Sequence, residues 1–132
     1  MRLDLEQAFI RKYMLKSKRE RYVEFIVKEK TRNKFLKMLY HGQDLDKSLF
    51  KELHGSHQHQ VEAIRIKAKS LVDGHKCYVI FKDKQWDGRE MATAQAIDEI
   101  VNNFVEATLL IFGNGAGVYY EGEPPHNCYL SV

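Results

Sequence analysis

The chain has two cysteines, two prolines and one tryptophan in 132 residues, and no apolar run approaches the ~20 residues that a membrane-spanning helix needs. These scarcities exclude a disulfide framework, a low-complexity chain and a spanning helix. Cys77 and Cys128 are far apart in sequence, both within predicted strands, and read as small core residues in a reducing compartment. The opening MRLDLEQAF is charged and periodic, unlike a signal peptide. The expectation is a cytoplasmic protein without membrane association. At 15.5 kDa, with 44% hydrophobic and 30% charged residues, one domain with an ordinary core is expected.

The chain also lacks the signatures of common chemistry. Gly113, Gly115 and Gly117 follow an apolar run, but a phosphate-binding loop needs a helix directly behind its glycines, so that backbone amides point at the phosphate. Here Val118-Tyr119-Tyr120 follows, then Pro124-Pro125, and no Lys-Ser/Thr pair is present. The segment 106–121 instead predicts a β-hairpin, with Leu109 to Phe112 and Val118 to Tyr120 as strands and Asn114-Gly115 as the turn.

Elsewhere the periodicity predicts helices first and strands later. Leu5, Phe9, Ile10, Tyr13 and Met14 form one helical stripe. Ser17 and Glu20 have the spacing of a capping box, which predicts a second helix starting there. Its apolar residues resume at Phe35 to Tyr40 after the polar stretch 28–34, which suggests a break near Thr31. Gly42 and Gly55 are candidate C-caps, and Asp44 a candidate N-cap for a short helix through Leu45, Leu49, Phe50 and Leu53. Val61, Ile64, Ala68, Leu71 and Val72 mark another helix ending at Gly74. Residues 76–81 then read as a strand. Asp87 with Glu90 repeats the capping-box spacing before a helix through Met91, Ala94, Ile97, Ile100, Val101 and Phe104. Strand, helix and strand in that order suggest a parallel crossover. A last strand, offering an edge for self-pairing, is expected at Cys128 to Leu130. The expected fold is α+β: an N-terminal helical layer packed on one side of a three- or four-stranded mixed sheet with a C-terminal β-hairpin. It is mainly helical over 1–74 and strand-helix-strand-hairpin over 75–132.

Three constellations hold candidate functional residues. His54, His57 and His59 crowd three imidazoles into HGSHQHQ, the residue type that ligates zinc, but no HExxH or paired-Cys motif supplies further ligands, and an exposed loop is the simpler reading. His126 precedes Cys128 by two residues and suggests a thiol with an imidazole base; same-face neighbours on a strand are roughly 6–7 Å apart, beyond a hydrogen bond. Glu121 and Glu123, read as exposed loop acids, are the general-base candidates beside them. The third is electrostatic. Residues 1–53 hold fourteen Lys and Arg against eight Asp and Glu, a balance of +6, and residues 54–132 hold seven against ten, a balance of −3. Lys16, Lys18, Arg19 and Arg21, with Lys28, Lys30, Arg32, Lys34 and Lys37, interleave with Tyr13, Tyr22, Phe25 and Phe35, a composition suited to phosphates and stacked bases. Those rings mostly fall on the apolar stripes, which assigns them to a core instead.

Three functions follow. A non-enzymatic protein-interaction module would use the helical layer or Trp86, a large rigid ring in a charged loop, as its partner contact. A basic RNA- or DNA-binding module would use the first two helices. A small hydrolase or transferase would place its site near Glu121, Glu123, His126 and Cys128. No cofactor or metal is implied, and no feature fixes an oligomeric state.

Overall fold

The computed structural model describes residues 1–102, 106–124 and 127–132. Among the described residues, five α-helices, α1 (Leu3–Tyr13), α2 (Arg19–Phe25), α3 (Glu29–His41), α4 (His57–Lys69) and α5 (Thr93–Glu99), accompany six strands. The strands are β1 (Phe50–Glu52), β2 (Lys76–Phe81), β3 (Glu90–Ala92), β4 (Thr108–Phe112), β5 (Gly117–Glu121) and β6 (Cys128–Ser131). They form one antiparallel sheet in the order β1-β6-β5-β4-β2-β3. The α+β class and the N-terminal helices stand. The three- or four-stranded mixed sheet does not, because two three-residue edge strands, β1 and β3, flank the longer ones. β2 and β4 pair antiparallel, Cys77 opposite Phe112 and Phe81 opposite Thr108, so there is no parallel crossover between them. β6 is an inner strand paired on both sides rather than an open edge.

The sheet is covered on both faces, correcting the expected one-sided layer. Tyr78, Ile80, Leu109, Ile111, Val118 and Tyr120 meet Leu5, Phe9, Ile10, Phe35, Met38 and Leu39 from α1 and α3. On the opposite face, Val79, Leu110, Phe112, Tyr119 and Leu130 meet Val61, Ile64 and Ala68 from α4 and Ala96 and Ile97 from α5. Strands buried on both faces lose the apolar–polar alternation of a half-exposed strand. Every residue of β4 and β5 is buried.

The local signals divide. The α1 stripe is buried as expected. Gly42 ends α3 at φ 73°, and its N–H donates to the Met38 carbonyl. The β4–β5 hairpin is also present, but its loop spans residues 113–116. Positive φ falls on Gly113 (57°) and Gly115 (98°) rather than on Asn114. A Cβ on Gly113 would lie 2.5 Å from the Val72 carbonyl oxygen.

Ser17 and Glu20 form no capping box: Ser17 lies in a 3-10 turn, Lys16–Lys18, and no side chain caps α2. The break falls before Thr31, whose hydroxyl donates to the Phe25 carbonyl across the α2–α3 junction at 2.8 Å. Asp46, not Asp44, caps the 3-10 turn Lys47–Leu49, and Phe50 begins β1 instead of continuing a helix. Gly55 precedes a helix rather than ending one, since Ser56 N-caps α4. α4 ends at Lys69, before Gly74. Asp87 caps nothing: β3 occupies Glu90–Ala92 and α5 starts at Thr93. Phe104 lies outside the described residues.

Candidate functional site

α3 presents one continuous stripe of residues at 29, 32, 33, 36, 37, 40 and 41, spacings of three and one that keep them on one helical face. Two clefts run beside that stripe. One, of about 620 Å³, is lined by Leu36, Lys37, Tyr40, His41, Glu106 and Ala107, with Asn33 and Lys82. The other, of about 400 Å³, is lined by Ile26, Val27, Glu29, Arg32, Lys84 and Asp87, again with Asn33, Leu36 and Lys82. The three shared residues join them into one groove between α3 and the segment leaving β2. Arg32 and Leu36 are buried beneath it, while Asn33 and Lys37 are exposed.

A buried ionic network fixes the groove's walls. Arg32 Nε and Nη2 donate to the two carboxylate oxygens of Asp87, each at 2.9 Å. Arg32 Nη1 and Nη2 also donate to Glu6, whose side chain is 0% exposed. The Tyr78 hydroxyl donates to Glu6 Oε2 at 2.5 Å, and the Phe81 N–H to Asp87 Oδ1 at 3.0 Å. Three chain segments, α1, α3 and the loop after β2, are thereby clamped together. Burial opposes the Arg32 charge, but its hydrogen bonds to Asp87 and Glu6, followed by their charges, hold its pKa above the ordinary guanidinium value. Burial, then the Glu6 contact, likewise raises the Tyr78 phenol.

One side-chain pair bridges the groove, Lys84 with Glu29 at 2.6 Å, and a second, Lys82 with Glu106 at 3.7 Å, ties together the two segments of the wall facing α3. At the far end the Glu123 N–H donates to the Tyr40 carbonyl at 2.8 Å, and His41 Nδ1 lies 3.1 Å from Glu123 Oε2. Glu123 is therefore an exposed loop acid as expected, tied to the end of α3.

Glu121 is not such an acid. It is fully buried at the end of β5, accepting from the Tyr119 hydroxyl at 2.8 Å and from the Asn102 N–H at 2.6 Å. Cys128 lies in the same cluster, 3.5 Å from the Tyr119 hydroxyl and 3.5 Å from Asn102 Oδ1. Burial raises the Cys128 thiol, with the Tyr119 hydrogen bond pulling the other way, so near neutral pH it is a thiol rather than a nucleophilic thiolate. His126 lies outside the described residues. Asn102, at φ 62°, connects the cluster to His57 Nδ1 at the start of α4.

The three candidate histidines diverge. His54 is exposed, 3.8 Å from Glu52, His57 faces Asn102, and the His59 N–H bonds the Ser56 cap. Among the described residues no group of three or more His, Cys, Asp or Glu side chains is placed to hold a metal ion. Of the basic candidates, Lys16 and Arg21 are exposed, Lys18 is half-buried, and Arg19 donates to the Met14 carbonyl at 3.0 Å. Tyr13, Tyr22 and Phe35 are 3%, 5% and 0% exposed, so these rings are not available for stacking on bases. Arg32 leaves the surface set altogether. Trp86 is half-buried against the α4–α5 core, with Arg89 over its ring at 5.6 Å.

Glu6, Arg32 and Asp87 were missed as a unit, although two of them leave a readable mark. Glu6 falls three and four residues before Phe9 and Ile10, and Arg32 three and four before Phe35 and Leu36, so opposite charges occupy two apolar stripes. Among the described residues no helix is long and apolar enough to cross a membrane. The chain matches no family model, no curated protein and no solved structure.

Proposed function

We propose that this chain is a non-enzymatic protein-interaction module whose groove along α3 receives a segment of a partner protein. The observation that carries the reading is the groove itself: two joined clefts of about 620 and 400 Å³ with apolar surface from Ile26, Val27, Leu36 and Tyr40 under a polar rim. An apolar floor with a polar, partly solvated margin is the composition of a docking surface. The clamp through Arg32 supports it by holding the walls in place before a partner arrives, which reduces the ordering cost of association. Exposed Lys30, Lys34 and Lys37 lie along α3 and favour a partner segment carrying acidic residues. Trp86 belongs to the same loop as Lys82, Lys84 and Asp87, so its contribution to partner binding is to steady that wall from the opposite side of the sheet. A cytoplasmic setting belongs to the same proposal, since both cysteines are free and buried.

The exposed cations also favour the nucleic-acid reading, through phosphate contacts alone because Tyr13, Tyr22 and Phe35 are buried. Glu121 and Cys128 lend the hydrolase reading no support, being enclosed among their own hydrogen-bond partners.

Affinity capture with the wild-type chain, with Asn33→Trp and with Arg21→Glu, each before and after nuclease treatment, separates these readings. Asn33 is exposed and lines both clefts, so a tryptophan there fills the groove. Specific proteins retained after nuclease and lost with Asn33→Trp are the expected result. Capture abolished by nuclease or by Arg21→Glu, but unchanged by Asn33→Trp, would transfer the function to nucleic acid.

A further inference from the structure

A separate groove opens on the opposite face of the sheet, between α4 and α5, with a volume of about 480 Å³. Its floor is apolar: Ala68 and Ile97 are buried, with Leu71 and Ala94 beside them. Its rim carries Arg65 and Lys69, one helical turn apart on α4, and His75 from the turn before β2. Asp73 is the one acid in the lining.

Beside α3, Glu29, Asp87 and Glu106 pair with Lys84, Arg32 and Lys82. Among the described residues Arg65 and Lys69 have no ion-pair partner. Two like charges four residues apart repel on an isolated helix, an effect that the C-terminal end of α4 offsets at Lys69, in its last turn. Arg65 and Lys69 against Asp73 leave one net positive charge over an apolar floor. A concave apolar lining with a few placed polar groups is the composition of a small-molecule site, and the volume lies within the usual range of roughly 300–1,000 Å³.

We propose that the α4–α5 groove binds a medium-chain carboxylate. Its carboxylate lies on Arg65 and Lys69, where a guanidinium accommodates both oxygens and an ammonium adds a point charge. Its alkyl chain lies along Ala68, Leu71, Ala94 and Ile97. The site is independent of the groove along α3 and stands or falls separately from the function assigned to it.

The test is an amide-resolved NMR titration of the full chain with octanoate, octanol and acetate. Octanoate is expected to give saturable shifts confined to residues 65–75 and 93–97, with at least tenfold weaker binding of octanol, which lacks the charge, and of acetate, which lacks the chain. Replacing both Arg65 and Lys69 by Gln, surface changes that leave the core intact, is expected to weaken octanoate at least tenfold without changing octanol. Ala94→Trp is expected to abolish binding of both chains. Equal affinity for octanoate and octanol, shifts outside the groove, or no saturable shift would each overturn the proposal.

Discussion

Replacing Arg32 by Met removes the guanidinium while keeping much of the buried stem, and so isolates the ionic network from simple loss of packing. In the folded chain Arg32 is 7% exposed, Glu6 0% and Asp87 10% by side chain. The substitution leaves the Glu6 carboxylate with the Tyr78 hydroxyl and Asp87 with the Phe81 N–H. Breaking a buried pair by removing one partner costs about 3–5 kcal/mol, chiefly because the remaining charge is stranded away from water. A total stability of roughly 5–15 kcal/mol makes that a large fraction of the whole. Urea unfolding followed by circular dichroism should therefore show a much lower midpoint at an unchanged slope. Glu6→Leu added to Arg32→Met should recover part of the loss, a coupling of roughly 0.5–3 kcal/mol, as expected for contacting residues. A cost below about 1 kcal/mol for Arg32→Met, in the range of an exposed ion pair, would refute the buried clamp and with it the fixed wall of the α3 groove.

Burial pushes the Cys77 thiol up to about 12 and raises Cys128, so neither should react with a thiol reagent at pH 8 before unfolding; rapid titration of one thiol in the native state would contradict this. The tyrosines Tyr22, Tyr78, Tyr119 and Tyr120 are raised as well, burial being the largest cause in each. Groups whose folded pKa lies above the unfolded one stabilise fully below the unfolded value and lose that contribution as pH climbs to the folded value. For Cys77 the window runs from 9.0 to about 12, with a slope of about 1.4 kcal/mol per pH unit for one proton. Thermal midpoints should fall steeply above pH 9, and Tyr78→Phe should flatten part of that slope; a flat alkaline limb would be inconsistent with these buried groups. Gly113→Ala should destabilise more than Gly115→Ala, since both have positive φ but only Gly113 lies against backbone, at 2.5 Å, while Gly115 has open space. Equal losses in calorimetry would argue against that close approach.

Legibility from sequence followed the length and the sidedness of each element. α1, β2, the β4–β5 hairpin and β6 were readable because their apolar residues form sustained local patterns. β1 and β3, at three residues each, are too short for a pattern and are defined by their partners, Phe50 opposite Ser131 and Met91 opposite Cys77. The two capping-box spacings misled because their acids serve other partners: Asp87 pairs with Arg32 from 55 positions away, and Glu20, expected to cap with Ser17, pairs with Arg11. The second helical layer left a sign in the continuous run 76–81, which is strand-like without alternation. Such a run marks a strand covered on both faces. Of the candidate site, only Leu36 and Tyr40 belong to the apolar run that the sequence shows at 35–40; the rest of the α3 stripe is polar and without a local signal, and the opposing wall is made by residues 82–87 and 106–107, which only the tertiary fold brings to α3. Glu121 read as a loop acid because its neighbours Gly122 and Pro124 suggest a turn. Its burial is set by Tyr119 and Asn102, and no periodicity encodes that contact.

The most direct measurement is site-specific photocrosslinking in cells, with a benzophenone side chain placed at Lys37 on the α3 groove and, in a second protein, at Glu62 on the outer side of α4. Both positions are exposed, so neither replacement should unfold the chain. The docking account predicts a discrete protein adduct from Lys37, insensitive to nuclease and absent from Glu62. Adducts at Glu62 alone, adducts of nucleic acid at Lys37, or no discrete adduct at Lys37 would contradict it.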